Sequence, residues 1–169
     1  MAQTVVITGF MGCGKSKIAR ALARSLDLTM VDLDDSITAR TGRTPAQLIN
    51  EDGERAFRRI ESDALREVLR SGAAGVIALG GGAWIEAENR ELINQYRCAS
   101  VWLDVPFEVC WSRIESGGED RPLGKTRSEA EALFQRRRPV YQLANFHITV
   151  QDYEDLDDLI SRLKSVASS

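Results

Sequence analysis

Residues Gly9 to Ser16 read GFMGCGKS and fit the spacing G-x-x-x-x-G-K-[ST]. The preceding run, Thr4-Val5-Val6-Ile7-Thr8, is β-branched and mostly apolar and predicts a buried strand. After it, Ile18, Leu22 and Leu26 recur every four residues, which predicts one face of a helix. Strand, glycine-rich turn and helix in that order make a phosphate cradle. Gly9, Gly12 and Gly14 let backbone N–H groups turn toward an anion, and the helix N-terminus adds partial positive charge. Lys15 then reaches the β- and γ-phosphates of a nucleotide, and the Ser16 hydroxyl ligates Mg²⁺. The alternative for the same residues is a tight βα turn with no ligand.

The chain has 169 residues, enough for one domain with a substantial core. A net charge of −3 argues against a nucleic-acid partner held by bulk charge. No apolar run approaches membrane-spanning length, and no leader peptide is expected. Cys13, Cys98 and Cys110 form no C-x-x-C pair, which fits a reducing cytosol and predicts a cytoplasmic protein. The single histidine, His147, falls in an apparent strand and reads as structural, so a histidine-based metal cluster is excluded.

Strands are predicted at 4–8, 29–34, 75–79, 99–104 and 146–150, separated by helical stretches. Thr44-Pro45 opens a helix as cap and first residue, and Gly42 and Gly53 interrupt. Residues 54–70 form a long amphipathic helix, and 128–143 another. Residues 116–127, rich in Gly, Pro and charge without periodicity, predict a mobile loop. Alternating strands and helices predict an α/β fold: a parallel sheet with helices on both faces and ligands at the carboxyl ends of its strands.

Several residues at those ends can carry chemistry. Asp32 and Asp34 are read as two same-facing carboxylates at a strand end, one for Mg²⁺ and one for an acceptor hydroxyl; a helix cap at Asp34 or Asp35 is the alternative. Asp104 ends another apolar strand and is a rival metal ligand. Glu54, Arg58 and Glu61 share a helix face, so that carboxylates orient a guanidinium. Gly80-Gly81-Gly82 at a strand end leaves N–H groups open to a ligand. Arg121 sits in the predicted mobile loop, where closure brings it to a phosphoryl group. Arg136-Arg137-Arg138 lies near a helix end.

Together these pieces resemble shikimate kinase from about Thr4 to Val150: the GFMGCGKS loop, Asp32-Leu33-Asp34, GERAFRRIE, the glycine triplet, the RPL loop and the R-x-P-x-Y of Arg137 to Tyr141. The resemblance implies a P-loop kinase of the nucleoside-monophosphate-kinase type, with a five-stranded parallel sheet. It implies MgATP-dependent phosphorylation of the shikimate 3-hydroxyl by a monomer that needs neither nucleic acid nor membrane. It marks a substrate region near 33–61 and a lid near 116–127. Asp34, Arg58, Gly80, Gly81, Gly82 and Arg137 look like the shikimate site. Lys15, Ser16, Asp32 and Arg121 look like the phosphoryl-transfer machinery, with Ser16 and Asp32 toward the metal. Gly12, Cys13, Gly14, Lys15, Ser16, Lys17, Arg113 and Arg121 are the expected nucleotide contacts. Trp84 and Gly124 stand where the family pattern has a small aliphatic and a second apolar residue. A gluconate- or nucleoside-monophosphate-type kinase and a non-catalytic nucleotide-binding module are the rival functions.

Overall fold

Val5 to Thr8 are all fully buried. Side chains alternate along a strand, so this strand is covered on both faces. It is β1 (Val5–Thr8), the centre of a five-stranded parallel sheet. With β2 (Met30–Asp32), β3 (Val76–Ala78), β4 (Ala99–Asp104) and β5 (Phe146–Thr149), the order is β2-β3-β1-β4-β5. Val5 pairs with Val76 on one side and with Ala99 on the other. The structure is a computed structural model and describes residues 3–117, 122–150 and 156–167.

Eight helices are described: α1 (Lys15–Leu26), α2 (Leu33–Thr41), α3 (Pro45–Asp52), α4 (Glu54–Ser71), α5 (Ala87–Gln95), α6 (Phe107–Gly117), α7 (Arg127–Tyr141) and α8 (Leu156–Ala167). A 3₁₀ turn spans Ala83–Ile85. α1 packs on α8, α2 and α3 gather on α4, and α6 lies against α7. Ile18, Leu22, Leu65 and Leu163 are fully buried, as their helical spacing requires. α2 ends at Gly42, which takes the left-handed conformation at φ 72°. Thr44 and Gln47 then form a reciprocal cap with Pro45 in the first turn, as predicted.

The predicted order of elements is reproduced, with boundaries shifted in three elements. The second strand stops at Asp32, so Leu33 and Asp34 are helical. α6 runs on to Gly117, taking two residues of the predicted loop. α7 starts and ends earlier than expected, at Arg127 and Tyr141, because Thr126 and Glu129 form a capping box and the helix continues through Pro139. His147 is structural, as read: its Nε2 donates to the Gln142 carbonyl at 2.9 Å, and its ring meets Trp102 edge-on at 5.3 Å.

The Thr126 cap is remote from the sheet, so its loss acts on α7 alone. Losing such a cap costs about 1 kcal/mol. In a chain of this size Thr126→Ala should lower Tm by about 2–4 °C. Calorimetry checks this, and an unchanged Tm would mean the cap adds nothing.

Candidate active site

The phosphate loop bends because its glycines allow it to. Gly12 has φ 77°, and a Cβ there would lie 2.7 Å from the Cys110 carbonyl oxygen. Gly14 caps α1 with φ 92° and no side chain, so the first N–H groups of the helix are not taken by a capping group. Lys15 folds back, donating from Nζ to the carbonyls of Gly9 at 2.9 Å and Phe10 at 3.0 Å. Arg113 reaches across from α6 and donates to the Gly12 carbonyl at 3.2 Å. Lys17 lines the cavity beside the loop, whereas the Cys13 side chain is fully buried beneath it. The Cys13 backbone N–H closes the turn by donating to the Phe10 carbonyl at 3.2 Å.

Asp32 and Asp34 do not project as a same-facing strand pair. Asp32 is the N-cap of α2, and its Oδ1 accepts from the backbone N–H of Asp34 at 3.0 Å and of Asp35 at 3.3 Å. Its other carboxylate oxygen accepts from the Ser16 hydroxyl. Asp34 sits in the first helical turn, and its buried Oδ1 has no hydrogen-bond partner among the described residues. The cap and the acceptor candidate are therefore different carboxylates, the reverse of the capping alternative.

Arg58 sits between carboxylates as its helical spacing predicts. It contacts Glu61 at 2.6 Å and Glu54 at 3.2 Å. Glu61 is 1% exposed, Glu54 on the rim 48%. The glycine triplet makes room for these charges. A Cβ at Gly82 would fall 2.2 Å from Arg58 Nη2, and one at Gly80 would fall 2.7 Å from Asp34 Oδ1 and 2.9 Å from Glu61 Oε1. None of the three needs a left-handed φ. Their requirement is volume, which adds to the sequence expectation of open N–H groups.

The three consecutive arginines point three ways. Arg136 is exposed, away from the cavity. Arg138 pairs with Asp104 at 3.1 Å and covers Trp102, which occupies the rival metal ligand. Arg137 is 8% exposed, lines the cavity and has its Nη1 3.5 Å from where a Gly81 Cβ would stand. No carboxylate pairs with it among the described residues.

One cavity of about 770 Å³ joins all of this. Lys15, Ser16, Asp32, Asp34, Arg58, Gly80 to Gly82 and Arg137 all line it. Met11, within the phosphate loop, lines it too, as do Thr38 and Ile49, which sequence reading passed over because isolated apolar or hydroxyl residues carry no spacing signal. Pro122 and Leu123 bring the predicted lid to the same cavity, while Arg121 lies outside the described residues.

The shikimate kinase family model matches residues 11–167. The chain belongs to the shikimate kinase family. It is 38% identical to a shikimate kinase of Synechococcus elongatus over 166 residues, covering 96% of this chain and 85% of that protein. A Thermus thermophilus relative of the same name is 34% identical, with 96% and 90% covered. Among solved structures, shikimate kinase from Bacteroides thetaiotaomicron superposes with a TM-score of 0.87 at 30% identity over the whole of both chains. Shikimate kinase from Acinetobacter baumannii in complex with shikimate gives 0.88 at 29% identity, with 98% and 93% covered.

Within this cavity, burial sets the acid strengths. Burial, then the Asp32 charge, lifts the Asp34 pKa to about 6; Lys15 and Arg58 pull the other way. Burial lifts Glu61 to about 7 against the opposing pull of Arg58. Burial alone would lower Arg58, but Glu61 and Glu54 overcome it and raise it above its ordinary range.

A carboxyl whose folded pKa is raised binds its proton better folded than unfolded. For Asp34 the associated stability is full below about pH 4 and is lost as pH rises through about 6. Asp34→Asn should therefore stabilise the fold by up to about 3 kcal/mol near neutrality and by almost nothing at low pH. Urea unfolding at about pH 4 and pH 7.5 reads the difference. An equal effect at both would show that Asp34 keeps its ordinary pKa.

Proposed function

We propose that this chain transfers the γ-phosphoryl group of ATP to the 3-hydroxyl of shikimate, giving shikimate 3-phosphate and ADP, as a step of chorismate and aromatic amino-acid synthesis. Family membership supports the activity. The observation that carries the substrate is Arg137, a buried cation that lines the same cavity as Arg58 and makes no ion pair among the described residues. A buried charge without a partner is costly. A carboxylated ligand between two guanidiniums removes that cost and is read in a planar, two-pronged way.

The other groups follow from their places. Asp34, with an unpartnered oxygen in the cavity, accepts a ring hydroxyl and holds it in line with the incoming phosphoryl. Its raised pKa also lets it take the hydroxyl proton, though a loose transition state asks more for position than for proton removal. Lys15 leaves the Gly9 and Phe10 carbonyls for the β- and γ-phosphates. Gly12 to Lys17 cradle the nucleotide through backbone N–H groups, with Arg113 beside them.

Ser16 and Asp32 fit Mg²⁺. They place two hard oxygens in contact at the cavity edge, and this ion takes one or two protein ligands and fills its shell with water and phosphate. The ion would neutralise phosphate charge. Asp32 can hold it while capping α2 because the two tasks use different oxygens. In this reading Arg121 meets the transferring phosphoryl when residues 116–127 close, and the protein works as a single-domain cytoplasmic monomer.

A panel of shikimate, gluconate and nucleoside monophosphates with ATP tests the assignment. Shikimate should be the preferred acceptor; turnover of another member alone would overturn it. Lys15→Ala should abolish turnover while a cooperative unfolding transition remains. Arg58→Ala and Arg137→Ala each remove a charge-assisted hydrogen bond, worth about 1.5–3 kcal/mol. Shikimate KM should rise roughly 10- to 150-fold, with little change in the KM for ATP. Arg136→Ala, on the outer face, is the control. If neither cavity arginine affects shikimate KM, the carboxylate is not what the site reads.

A further inference from the structure

The glycine triplet and Arg137 belong to elements far apart in sequence, yet two buried side chains tie them together in both directions. Trp84, in the 3₁₀ turn just after the triplet, is 1% exposed and donates from Nε1 to the Val140 carbonyl at 2.9 Å. Tyr141, also 1% exposed, donates back from its hydroxyl to the Gly81 carbonyl at 2.5 Å. Arg137 lies one helical turn before Tyr141, so the bonds that tie Tyr141 and Val140 to the glycine turn hold the helical segment that carries its guanidinium, whose Nη1 stands 3.5 Å from where a Gly81 Cβ would be. The loop, in turn, has the Arg58 guanidinium filling the space beside Gly82.

We infer that Trp84 and Tyr141 are positioning residues that set the separation of the two carboxylate-binding guanidiniums, Arg58 and Arg137. The need for them is local. Pro139 lies inside the last turns of α7 and removes one helical N–H there, so the segment carrying Arg137 is under-bonded along its own axis. The crossed pair replaces that support with bonds to the loop. Neither side chain lines the cavity, so both act through Arg137 and the loop. The inference deepens the reading of Arg137 above and rests on it for the identity of the ligand.

Tyr141→Phe and Trp84→Phe remove the donors and keep aromatic rings in the core. Losing one neutral hydrogen bond should weaken acceptor binding about 2- to 10-fold. We expect shikimate KM, and its Kd by calorimetry, to rise by that factor, with kcat and the KM for ATP within about twofold. The rise should shrink to nothing against an acceptor analogue whose carboxylate is reduced to a hydroxymethyl group. It should also be absent in an Arg137→Ala background, where there is no guanidinium left to place. Independently of any substrate, amide exchange at Ala83 and Ile85, which bond back to Gly80 and Gly82, should accelerate. A merely structural role would lower Tm and change both substrates alike. Unchanged shikimate KM in both variants, or an equal loss with the reduced analogue, overturns the inference. Absence of shikimate turnover in the unaltered protein would instead overturn the function proposed above, and the amide exchange would still decide the latch.

Discussion

Arg58 and Glu61 meet at 2.6 Å with the carboxylate almost entirely withdrawn from water, and much of the cavity is arranged around them. A buried ion pair seldom stabilises a fold, because desolvation offsets the attraction. This one is held by helical spacing: Glu61 is three residues on and Glu54 four residues back, so α4 delivers both partners without ordering a loop. Glu61 also presses its other oxygen toward Gly80, where Asp34 arrives from α2. Two carboxylates and a guanidinium therefore share one small volume withdrawn from water, and that desolvation raises both acids against the opposing pull of Arg58. The pair fixes the guanidinium while leaving most of its five N–H donors for a ligand.

The phosphate half of the site was legible because it is local. Gly12, Gly14, Lys15 and Ser16 act within one turn of backbone, and their spacing alone carries the geometry. The Arg58 cluster was legible for the same reason, being a repeat on one helix. Asp32 and Asp34 were found as residues and misplaced as structure. An alternation argument holds only while the strand lasts, and Asp32 ends it by accepting from the N–H groups of Asp34 and Asp35. The choice of Arg137 from three arginines followed from its spacing to Pro139, and helix rotation explains it: its neighbours turn to solvent and to Asp104.

What the sequence withheld is what depends on contacts between distant elements. The glycine triplet read as exposed backbone, yet the space it clears beside Gly80 and Gly82 is taken by side chains from α2 and α4. No spacing rule connects Gly80 to Asp34 or Glu61, because they meet only once the crossover from β2 through α2, α3 and α4 has laid β3 beside β2. Trp84 stood out merely as an unusual neighbour of the glycines. Its use becomes visible once its indole is seen to reach Val140, 56 positions away.

The fold divides the labour of the site. What such a fold provides by itself is a central strand, a glycine loop and a helix N-terminus, and these suit any nucleoside triphosphate. Choice of acceptor has to come from elements added around that core. Here they are α2, α4 and α7, which converge on three residues without side chains. Because Gly80, Gly81 and Gly82 contribute no atoms beyond backbone, charged groups from three helices approach one loop closely enough to face a single small ligand. A methyl group on any of them would sit on or near one of those charges. The acceptor site is therefore specified less by the arginines, which any helix could carry, than by the empty volume that lets them meet.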